Sequence, residues 1–444
     1  MITITVIGTG YVGSVSGACL ADFGNRVICV DNNPEKIASF QKGIIPIYEP
    51  GLAELVNRNI ISGRLEFSTD LASAIKESKV VFIAVGTPSL PDGSADLSFV
   101  ESAAREIAAV MEQYTVVVNK STVPVGSVKK VSAWIKEEQD KKGKSIPFDV
   151  ISNPEFLREG TAVYDFTHPD RVVLGSDSPG ALEIMKDVYR SLYLNETPFI
   201  ETNPETAEMI KYAANAFLAT KITFINEIAN LCEKSGANVQ DVARAMGRDG
   251  RIGPKFLHPG PGFGGSCFPK DTRALAKTAR DYGEPITLVE AVITANKRQK
   301  EKQAEKIENA MGGKGSLKGK TIAILGLSYK SNTNDMREAP SIVLCKILVS
   351  NGAMLRVYDP AAMDEAKIHF ETIKDSVFFA SDEYNAVSGA NALVIVTEWH
   401  QFRNIDLLKI KNIMSNEKYF FDLRNIYKRK EVEDAGFKYW GVGK

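Results

Sequence analysis

The chain has 444 residues, which is enough for two to four domains, and its 54 Lys and Arg side chains nearly balance its 55 Asp and Glu side chains. The resulting net charge of -1 supplies no basic field for holding nucleic acid. Fractions of 44% apolar and 25% charged residues exclude a disordered or collagen-like chain.

Short β-branched segments alternate with longer helical patterns through roughly the first 200 residues, which predicts a parallel sheet covered by helices. Their continuous apolar character suits strands that are buried on both faces. The predicted strands are Ile2–Ile7, Arg26–Val30, Val80–Val85, Thr115–Asn119, Phe148–Ser152, Arg171–Leu174 and Pro198–Glu201.

A long helix is predicted after this sheet, because some thirty residues follow Pro204 without Gly or Pro until Gly236. Thr202 or Asn203 would cap its start. Its apolar residues lie around much of its circumference, which indicates burial on more than one side, either between domains or against a second subunit.

A second α/β unit is predicted near the C-terminus. The Gly- and Lys-rich segment 312–319 is typical of an exposed linker. It is followed by a predicted helix at Pro340–Asn351 and predicted strands at Met354–Tyr358 and Leu393–Thr397.

These patterns predict an α/β fold with two Rossmann-like doubly wound domains, joined by a long central helix and a helical middle region. The expected domains are residues 1–200, 201–312 and 313–444. The second α/β unit opens with ILGLSYK, which lacks two of the three glycines of a dinucleotide fingerprint. Spacing alone therefore does not predict a second dinucleotide site.

The segment GTGYVG from Gly8 to Gly13 matches the G-x-G-x-x-G pattern of dinucleotide-binding turns. A strand precedes it, a helix rich in Ala and Gly follows it, and Asp31 ends the next strand 18 residues after Gly13. Gly10 would let the backbone approach a pyrophosphate, and the helix N-terminus would supply amide donors. Asp31 would accept hydrogen bonds from the ribose of NAD and repel the 2′-phosphate of NADP, so the expected cofactor is NAD.

Three loops that carry Thr87, Thr122 and residues 153–160 follow later strands of the same sheet. Ligands of open α/β sheets bind outside the carboxyl ends of the strands. Taken singly, each loop is more typical of turn chemistry than of catalysis. Glu155 and Glu159 are also compatible with ordinary acids in the first turn of a helix.

Cys267 stands in the glycine-dense segment GPGFGGSCFPKD, which fits neither a regular helix nor a regular strand. A helix that starts near Asp271 and the ammonium of Lys270 would favour the thiolate. Cys267 is therefore the candidate nucleophile. The other cysteines stand inside apolar patterns and are predicted to pack as small buried residues: Cys19, Cys29, Cys232 and Cys345.

The five scattered cysteines show no C-x-x-C spacing and favour a reducing compartment. The four histidines form no close ligand pair, so we expect no metal site. The first residues carry no basic leader, and no apolar segment approaches the roughly 18 residues of a membrane span. We expect a cytoplasmic protein that binds neither nucleic acid nor a membrane.

Lys211 and Asn215 are four residues apart on the predicted long helix and therefore share one face. Both would point into a cleft if they belong to a site. A solvent-exposed or snorkelling lysine and a satisfied core amide explain the same pattern, and the spacing does not decide between these alternatives.

Seven segments occur in the order found in the UDP-sugar dehydrogenases: GTGYVG, VGTP, KSTVPVG, SNPEFLREG, EMIKYAANAFLATKI, FGGSCFPKD and GLSYK…NDMRE. The chain thus resembles the UDP-glucose/GDP-mannose dehydrogenase family over nearly its whole length. The loop FLHPGPGFGG is closer to the members that act on UDP-glucose, although a few pocket contacts set sugar choice. The resemblance implies oxidation of the C6 alcohol of UDP-glucose to a carboxylate with two NAD, in a homodimer or a higher homo-oligomer.

The resemblance also implies roles for the candidate residues. Cys267 would trap the aldehyde as a thiohemiacetal that is oxidised to a thioester. Lys211 and Asn215 would stabilise oxyanions, and Asp271 with Thr122 would order the reacting water. The implied catalytic residues are Cys267, Lys211, Asn215, Asp271, Thr122 and Glu159.

Contact residues follow from the same resemblance. NAD would be bound by Gly8, Gly10, Tyr11, Val12, Gly13, Asp31, Lys36, Thr87, Thr122, Glu159, Lys270 and Arg337. The sugar nucleotide would be bound by Glu155, Phe156, Leu157, Arg158, Glu159, Lys211, Asn215, Arg251, Phe256, Leu257, His258, Pro259, Gly260, Gly264, Lys330 and Arg424. Arg251 would reach the substrate of the neighbouring subunit.

Three alternatives stay open at the level of the sequence. The same chemistry would serve UDP-N-acetylmannosamine or GDP-mannose. A two-electron hydroxyacid dehydrogenase would use Cys267 only for packing. A regulatory protein that binds NAD or a nucleotide sugar would keep the fold without turnover.

Overall fold

Two separate β-sheets organise the chain in the computed structural model, which describes residues 1–444. The strands of the first sheet are β1 (Thr3–Ile7), β2 (Arg26–Val30), β3 (Leu65–Ser68), β4 (Val80–Ile83), β5 (Thr115–Asn119), β6 (Phe148–Ser152), β7 (Val172–Gly175) and β8 (Phe199–Thr202). Their order is β3-β2-β1-β4-β5-β6-β7-β8, and every neighbouring pair is parallel except β6 and β7. The first six strands thus have the doubly wound order, in which ligands bind at the carboxyl ends of the strands near β1 and β4.

Helices cover both faces of this sheet because its strands are apolar on both sides. All four residues of β4 and all five of β5 are buried. The first helix packs closely on β2, since a Cβ on Gly17 would overlap the sulfur of Cys29. The helices of this part are α1 (Tyr11–Asp22), α2 (Pro34–Gln41), α3 (Leu52–Ile61), α4 (Leu71–Glu77), α5 (Ser98–Val110), α6 (Ser127–Lys141), α7 (Ala162–Thr167) and α8 (Pro179–Val188), with a 3-10 helix at Arg190–Asn195.

The middle of the chain is helical, as expected. Its helices are α9 (Pro204–Ser235), α10 (Val239–Gly247), α11 (Phe268–Asp281) and α12 (Thr287–Ala310). The cap of α9 is Asn203, whose Oδ1 accepts a hydrogen bond of 2.8 Å from the Thr206 amide. Gly236 follows the helix with a φ of 79°, the left-handed conformation that ends helices.

The second sheet confirms the predicted second α/β unit. Its strands are β9 (Thr321–Leu325), β10 (Met354–Tyr358), β11 (Val377–Phe379), β12 (Ala392–Ile395), β13 (Tyr419–Asp422) and β14 (Lys438–Gly441). Their order, β11-β10-β9-β12-β13-β14, repeats the doubly wound order with all pairs parallel. The helices are α13 (Pro340–Ser350), α14 (Met363–His369), α15 (Glu383–Val387), α16 (Leu407–Ile413) and α17 (Arg429–Asp434), with 3-10 helices at Glu371–Ser376 and His400–Asn404.

Two details differ from the sequence-based expectations. Helix α11 begins at Phe268 rather than near Asp271, and its first turn includes Pro269, which is tolerated there because that position needs no amide donor. The segment 312–319 forms successive turns, and its Leu317 is buried rather than exposed.

The chain divides into two compact units. The first comprises residues 1–214 with 277–284, and the second comprises residues 215–276 with 285–444. Helix α9 contributes to both units, since the division falls between Ala214 and Asn215. No helix combines the length and hydrophobicity that crossing a lipid bilayer requires.

Candidate functional site

The glycine-rich turn after β1 has the shape that a dinucleotide requires. Gly8 has a φ of 94°, and its amide donates to the Val30 carbonyl at 2.8 Å. A Cβ on Gly13 would overlap the Gly8 carbonyl oxygen, so only glycine lets α1 start this close to the strand. A Cβ on Gly10 would meet no atom within 4 Å. The open space above Gly10, at the N-terminus of α1, fits the pyrophosphate of NAD.

Asp31 ends β2 and is already hydrogen-bonded around this turn. Its Oδ2 accepts from the Thr9 amide at 2.9 Å, from the Thr9 hydroxyl at 2.8 Å and from the Lys36 ammonium at 2.9 Å. Burial opposes the charge, but the hydrogen bonds together lower the pKa of Asp31 to about 2. Asp31 therefore carries a fixed negative charge, which suits ribose hydroxyls and disfavours a 2′-phosphate.

Glu155 and Lys211 form a buried ion pair in the first unit. Lys211 Nζ lies 2.9 Å from Glu155 Oε1, and the two side chains are 4% and 6% exposed. Burial alone would raise the pKa of Glu155, but the Lys211 ammonium and the Leu157 amide lower it overall. The Lys211 ammonium also lies 5.4 Å from the centre of the Phe156 ring. Burial excludes the alternative that Lys211 is merely a solvent-exposed lysine.

The loop that carries Thr122 is anchored at several points within the same unit. The Thr87 hydroxyl donates to the Thr122 carbonyl at 2.9 Å. Glu208 on α9 accepts from the amides of Gly126 and Val128 at 2.6 and 2.9 Å. These contacts fix the backbone on both sides of Pro124, and with it the position of Thr122.

Lys120 is a buried lysine that no pattern in the sequence indicated. Its ammonium donates to Asn153 Oδ1 at 3.1 Å and to the Tyr189 hydroxyl at 3.3 Å. Burial lowers the pKa of Lys120 to about 8, with an opposing contribution from Glu155. A cavity of about 40 Å³ adjoins it, lined also by Phe156. Lys120 thus belongs to the polar cluster around the Glu155–Lys211 pair.

The candidate nucleophile lies at a helix start in the second unit. Cys267 directly precedes α11, and its carbonyl accepts from the Asp271 amide at 2.8 Å. Its side chain is half-buried, whereas the other four cysteines are buried. The positive end of the helix dipole and its free amides lie at this position.

Asp271, four residues after Cys267, is the centre of a small hydrogen-bonding network. Its Oδ2 accepts from Asn215 Nδ2 at 2.6 Å, and its Oδ1 lies 2.8 Å from the Lys270 ammonium. Asn215 is buried on α9, so both the amide and the carboxylate are held in one orientation. The structure thus brings together three of the residues that the resemblance implied.

Buried amide side chains hold the glycine-dense loop that leads to Cys267. Asn226 Oδ1 accepts from the Gly260 amide at 2.8 Å, and Gln299 Nε2 donates to the Gly260 carbonyl at 2.9 Å. Asn296 bonds both the amide and the carbonyl of Phe263, at 2.8 and 3.1 Å. A residue larger than glycine does not fit at position 265, where a Cβ would lie 2.7 Å from the Tyr329 ring. The loop is irregular but firmly fixed.

Some of the remaining candidate residues are hydrogen-bonded or buried, and others are exposed. Arg424 donates to the carbonyls of Val396 and Tyr329 at 2.7 and 2.9 Å and pairs with Glu398 at 3.0 Å. A Cβ on Gly260 would lie 3.3 Å from Arg424, so these two candidates are neighbours. Leu257, Pro259 and Gly264 are buried, while His258 is exposed and Phe256 is intermediate. Lys330 lies 5.5 Å from the Tyr329 ring centre.

Three of the predicted contact arginines pair with acids that are close to them in the sequence. Each forms a two-nitrogen contact with an aspartate: Arg158 with Asp165, Arg251 with Asp249 and Arg337 with Asp335. Their guanidinium groups are largely exposed, at 57%, 89% and 62%. No cluster of three or more His, Cys, Asp and Glu side chains that could hold a metal ion is present.

Comparisons with known proteins place the whole chain in one family. Three models of the UDP-glucose/GDP-mannose dehydrogenase family match: the NAD binding domain at residues 2–193, the central domain at 205–298 and the UDP binding domain at 323–429. The chain is 53% identical to a UDP-glucose 6-dehydrogenase of Rhizobium meliloti over 99% of both chains. It is 47% identical to the UDP-glucose 6-dehydrogenase TuaD of Bacillus subtilis, over 99% of this chain and 93% of that one. A solved UDP-glucose dehydrogenase of Pyrobaculum islandicum superposes with a TM-score of 0.90 at 37% identity, covering 100% of this chain and 98% of that one.

Proposed function

The chain belongs to the UDP-glucose/GDP-mannose dehydrogenase family, and from this premise we propose that it oxidises UDP-glucose at C6 to UDP-glucuronate, with two NAD reduced per sugar. The observation that carries the proposal is Cys267 at the start of α11, next to the Asn215–Asp271 contact. A two-electron dehydrogenase needs no nucleophile there. The 53% identity to a UDP-glucose 6-dehydrogenase over the whole chain supports glucose as the sugar.

NAD held at the glycine-rich turn would accept the hydride in both oxidations, first from the C6 alcohol to give the aldehyde and then from the thiohemiacetal to give the thioester. Cys267 Sγ attacks the C6 aldehyde, forming a C–S bond and a thiohemiacetal. Lys211 and Asn215 donate hydrogen bonds to the oxyanion, each donor contributing about 3 to 4 kcal/mol when well placed. Oxidation gives a thioester at Cys267, and water cleaves its C–S bond to release the acid. Asp271 accepts a proton from that water, with Thr122 as the second contact.

Burial explains why Lys211 suits this role. The Glu155 carboxylate lies 2.9 Å from the buried Lys211 ammonium and offsets its charge away from solvent. An ammonium held in a low-dielectric environment stabilises a developing oxyanion more strongly than one in water. Glu159, buried in the same loop, fits the assisting general-base role.

We assign the remaining contacts in the same way. Residues 1–200 would bind NAD, residues 201–312 would supply the cysteine loop, and residues 313–444 would bind the UDP moiety. Arg251 is largely exposed, which leaves it available to the substrate of a neighbouring subunit. The cytoplasm is the compartment that the scattered cysteines of the sequence favour.

We also propose that the protein forms a dimer through α9. Phe217, Phe224 and Leu231 are 65%, 47% and 62% exposed and recur every seven residues, so they form one apolar stripe along the helix. Leu231→Glu should convert a dimer to a monomer in sedimentation velocity, because it buries a charge in the interface. Leu408→Glu, at an equally exposed leucine on α16, should leave the dimer intact. A monomeric parent protein would refute this assignment.

NADH yield tests the reaction itself. Limiting UDP-glucose with excess NAD should give two NADH per sugar and an acid product, whereas UDP-N-acetyl sugars and GDP-mannose should give little. Cys267→Ala should give no net conversion, and Cys232→Ala, which alters a buried thiol of α9, should keep the yield of the parent protein. One NADH with a released carbonyl compound would indicate a two-electron dehydrogenase. Binding without reduction of NAD would indicate a regulatory protein.

A further inference from the structure

Glu49 is a buried acid in a segment whose other residues are exposed or only partly buried. It lies between α2 and α3, its neighbours Tyr48 and Pro50 are exposed, and only 7% of its own surface is accessible. A buried carboxylate needs hydrogen-bond donors to offset its lost hydration. The residues that donate hydrogen bonds to Glu49 therefore indicate its structural role.

The Glu49 carboxylate accepts from three donors. Its Oε2 accepts from the Tyr11 hydroxyl and from the Gly160 amide, the latter at 2.6 Å. Its Oε1 accepts from the Ala162 amide at 2.7 Å. The Gly160 amide also lies 3.1 Å from the Tyr11 oxygen. Burial and the adjacent carboxylate hold the pKa of the Tyr11 phenol well above its usual range, so the hydroxyl stays a donor.

These donors come from two functionally different segments. Tyr11 is the first residue of α1 and lies inside the glycine-rich turn that would hold the pyrophosphate. Gly160 follows Glu159 at the end of the loop that would hold the sugar nucleotide, and its φ of 81° fixes the direction of the chain there. One carboxylate thus joins the cofactor turn to the substrate loop.

We propose that Glu49 is a positioning residue that couples NAD binding to sugar-nucleotide binding. NAD that orders the turn at Tyr11 favours the position of the Glu49 carboxylate that also orders Gly160 and Ala162, and so favours binding of the sugar nucleotide. Because such coupling is reciprocal, the sugar nucleotide favours binding of NAD by the same factor. The inference rests on the proposed function, since it needs both ligands to bind this chain.

The coupling is measurable without turnover. NADH cannot accept a hydride, so calorimetry can give the Kd of UDP-glucose with and without saturating NADH. The ratio of the two Kd values is the coupling factor, which we expect to be about tenfold in the parent protein, within the usual range of allosteric coupling.

Two variants test the role of the carboxylate. Glu49→Gln places an amide NH₂ against backbone donors, and Tyr11→Phe removes one donor while leaving both backbone contacts. Both should bring the coupling factor close to one. Glu49→Asp keeps the carboxylate and should retain more of the coupling than Glu49→Gln. Glu54→Gln, an exposed acid on α3, should behave like the parent protein.

The outcomes separate the two proposals. A parent protein that turns over UDP-glucose with a coupling factor of one contradicts the coupling alone. So does an unchanged factor in Tyr11→Phe, which decides the question if Glu49→Gln does not fold. A parent protein that neither binds UDP-glucose nor reduces NAD contradicts the proposed function and the coupling together.

Discussion

Replacing the buried Lys120 by Met should stabilise the protein at neutral pH. Methionine is unbranched and of similar length, so it occupies the same space without a charge. Asn153 Oδ1 keeps a donor after the change, because it also accepts from the Tyr189 hydroxyl at 2.7 Å. The substitution therefore removes a buried charge and leaves that amide oxygen paired.

The size of the effect follows from the pKa of Lys120. Burial lowers that pKa from 10.5 to about 8, and at 1.36 kcal/mol per pKa unit the charged form costs about 3 kcal/mol in the folded state. Between pH 8 and 10.5 the unfolded chain binds more protons at this group than the folded chain does, so the group's contribution to stability rises with pH. The advantage of Lys120→Met should be greatest at pH 7 and about 2 kcal/mol smaller at pH 9.5.

Urea unfolding of both proteins at pH 7.0 and 9.5 measures this difference, since the groups that do not interact with Lys120 titrate equally in the two chains. Lys136→Met, at an exposed lysine of α6, is the control and should show no pH-dependent difference from the parent. A Lys120→Met difference that is the same at both pH values would refute the reasoning. It would mean that water in the adjoining cavity solvates the ammonium.

Three further predictions concern the site. Gly13→Ala should abolish NAD binding in a fluorescence titration, because its Cβ overlaps the Gly8 carbonyl, whereas Gly180→Ala, whose Cβ meets nothing within 4 Å, should bind normally. Asp31→Ala should raise the Kd of NAD about tenfold or more and reduce the ratio of the NADP Kd to the NAD Kd. Unchanged Kd values would mean that another group binds the ribose. Asn296→Ala leaves the amide and carbonyl of Phe263 unpaired and should cost about 1 to 3 kcal/mol in unfolding free energy while lowering kcat. Parent-like kcat in Asn296→Ala would show that the cysteine loop does not depend on this anchor.

Local patterns predicted the elements whose signals lie close together in the sequence. Examples are the glycine-rich turn, the strand that ends at Asp31 and the long helix that starts at Pro204. In each of them, neighbouring residues have the types that the local backbone conformation requires. Four short strands, β3, β11, β13 and β14, were missed because alternation over three or four residues is not distinctive. The equally short β4 and β12 were predicted because all of their residues are apolar. Helix α11 starts three residues before the predicted position near Asp271, and its first turn contains Pro269, where proline is tolerated.

The supporting residues of the site could not be predicted in the same way. Glu49 contacts a residue 111 positions away, and Lys120 contacts one 69 positions away. Asn296 and Asn226 look like ordinary helical amides until the loop at Gly260 to Phe263 folds against them. Each of these residues acts through a partner that only the folded chain supplies, so no local pattern marks it.

The distribution of the five thiols has a practical consequence for anyone handling the protein. Burial raises the pKa of Cys19, Cys29 and Cys345 and shields their sulfurs, while Cys267 is the one cysteine whose side chain is partly accessible. Brief treatment with iodoacetamide should thus add a single carbamidomethyl group to the native chain, and the same position would be the first to oxidise under peroxide. A fluorophore attached to Cys267 would report on the surroundings of that residue, and the other four cysteines would not have to be replaced.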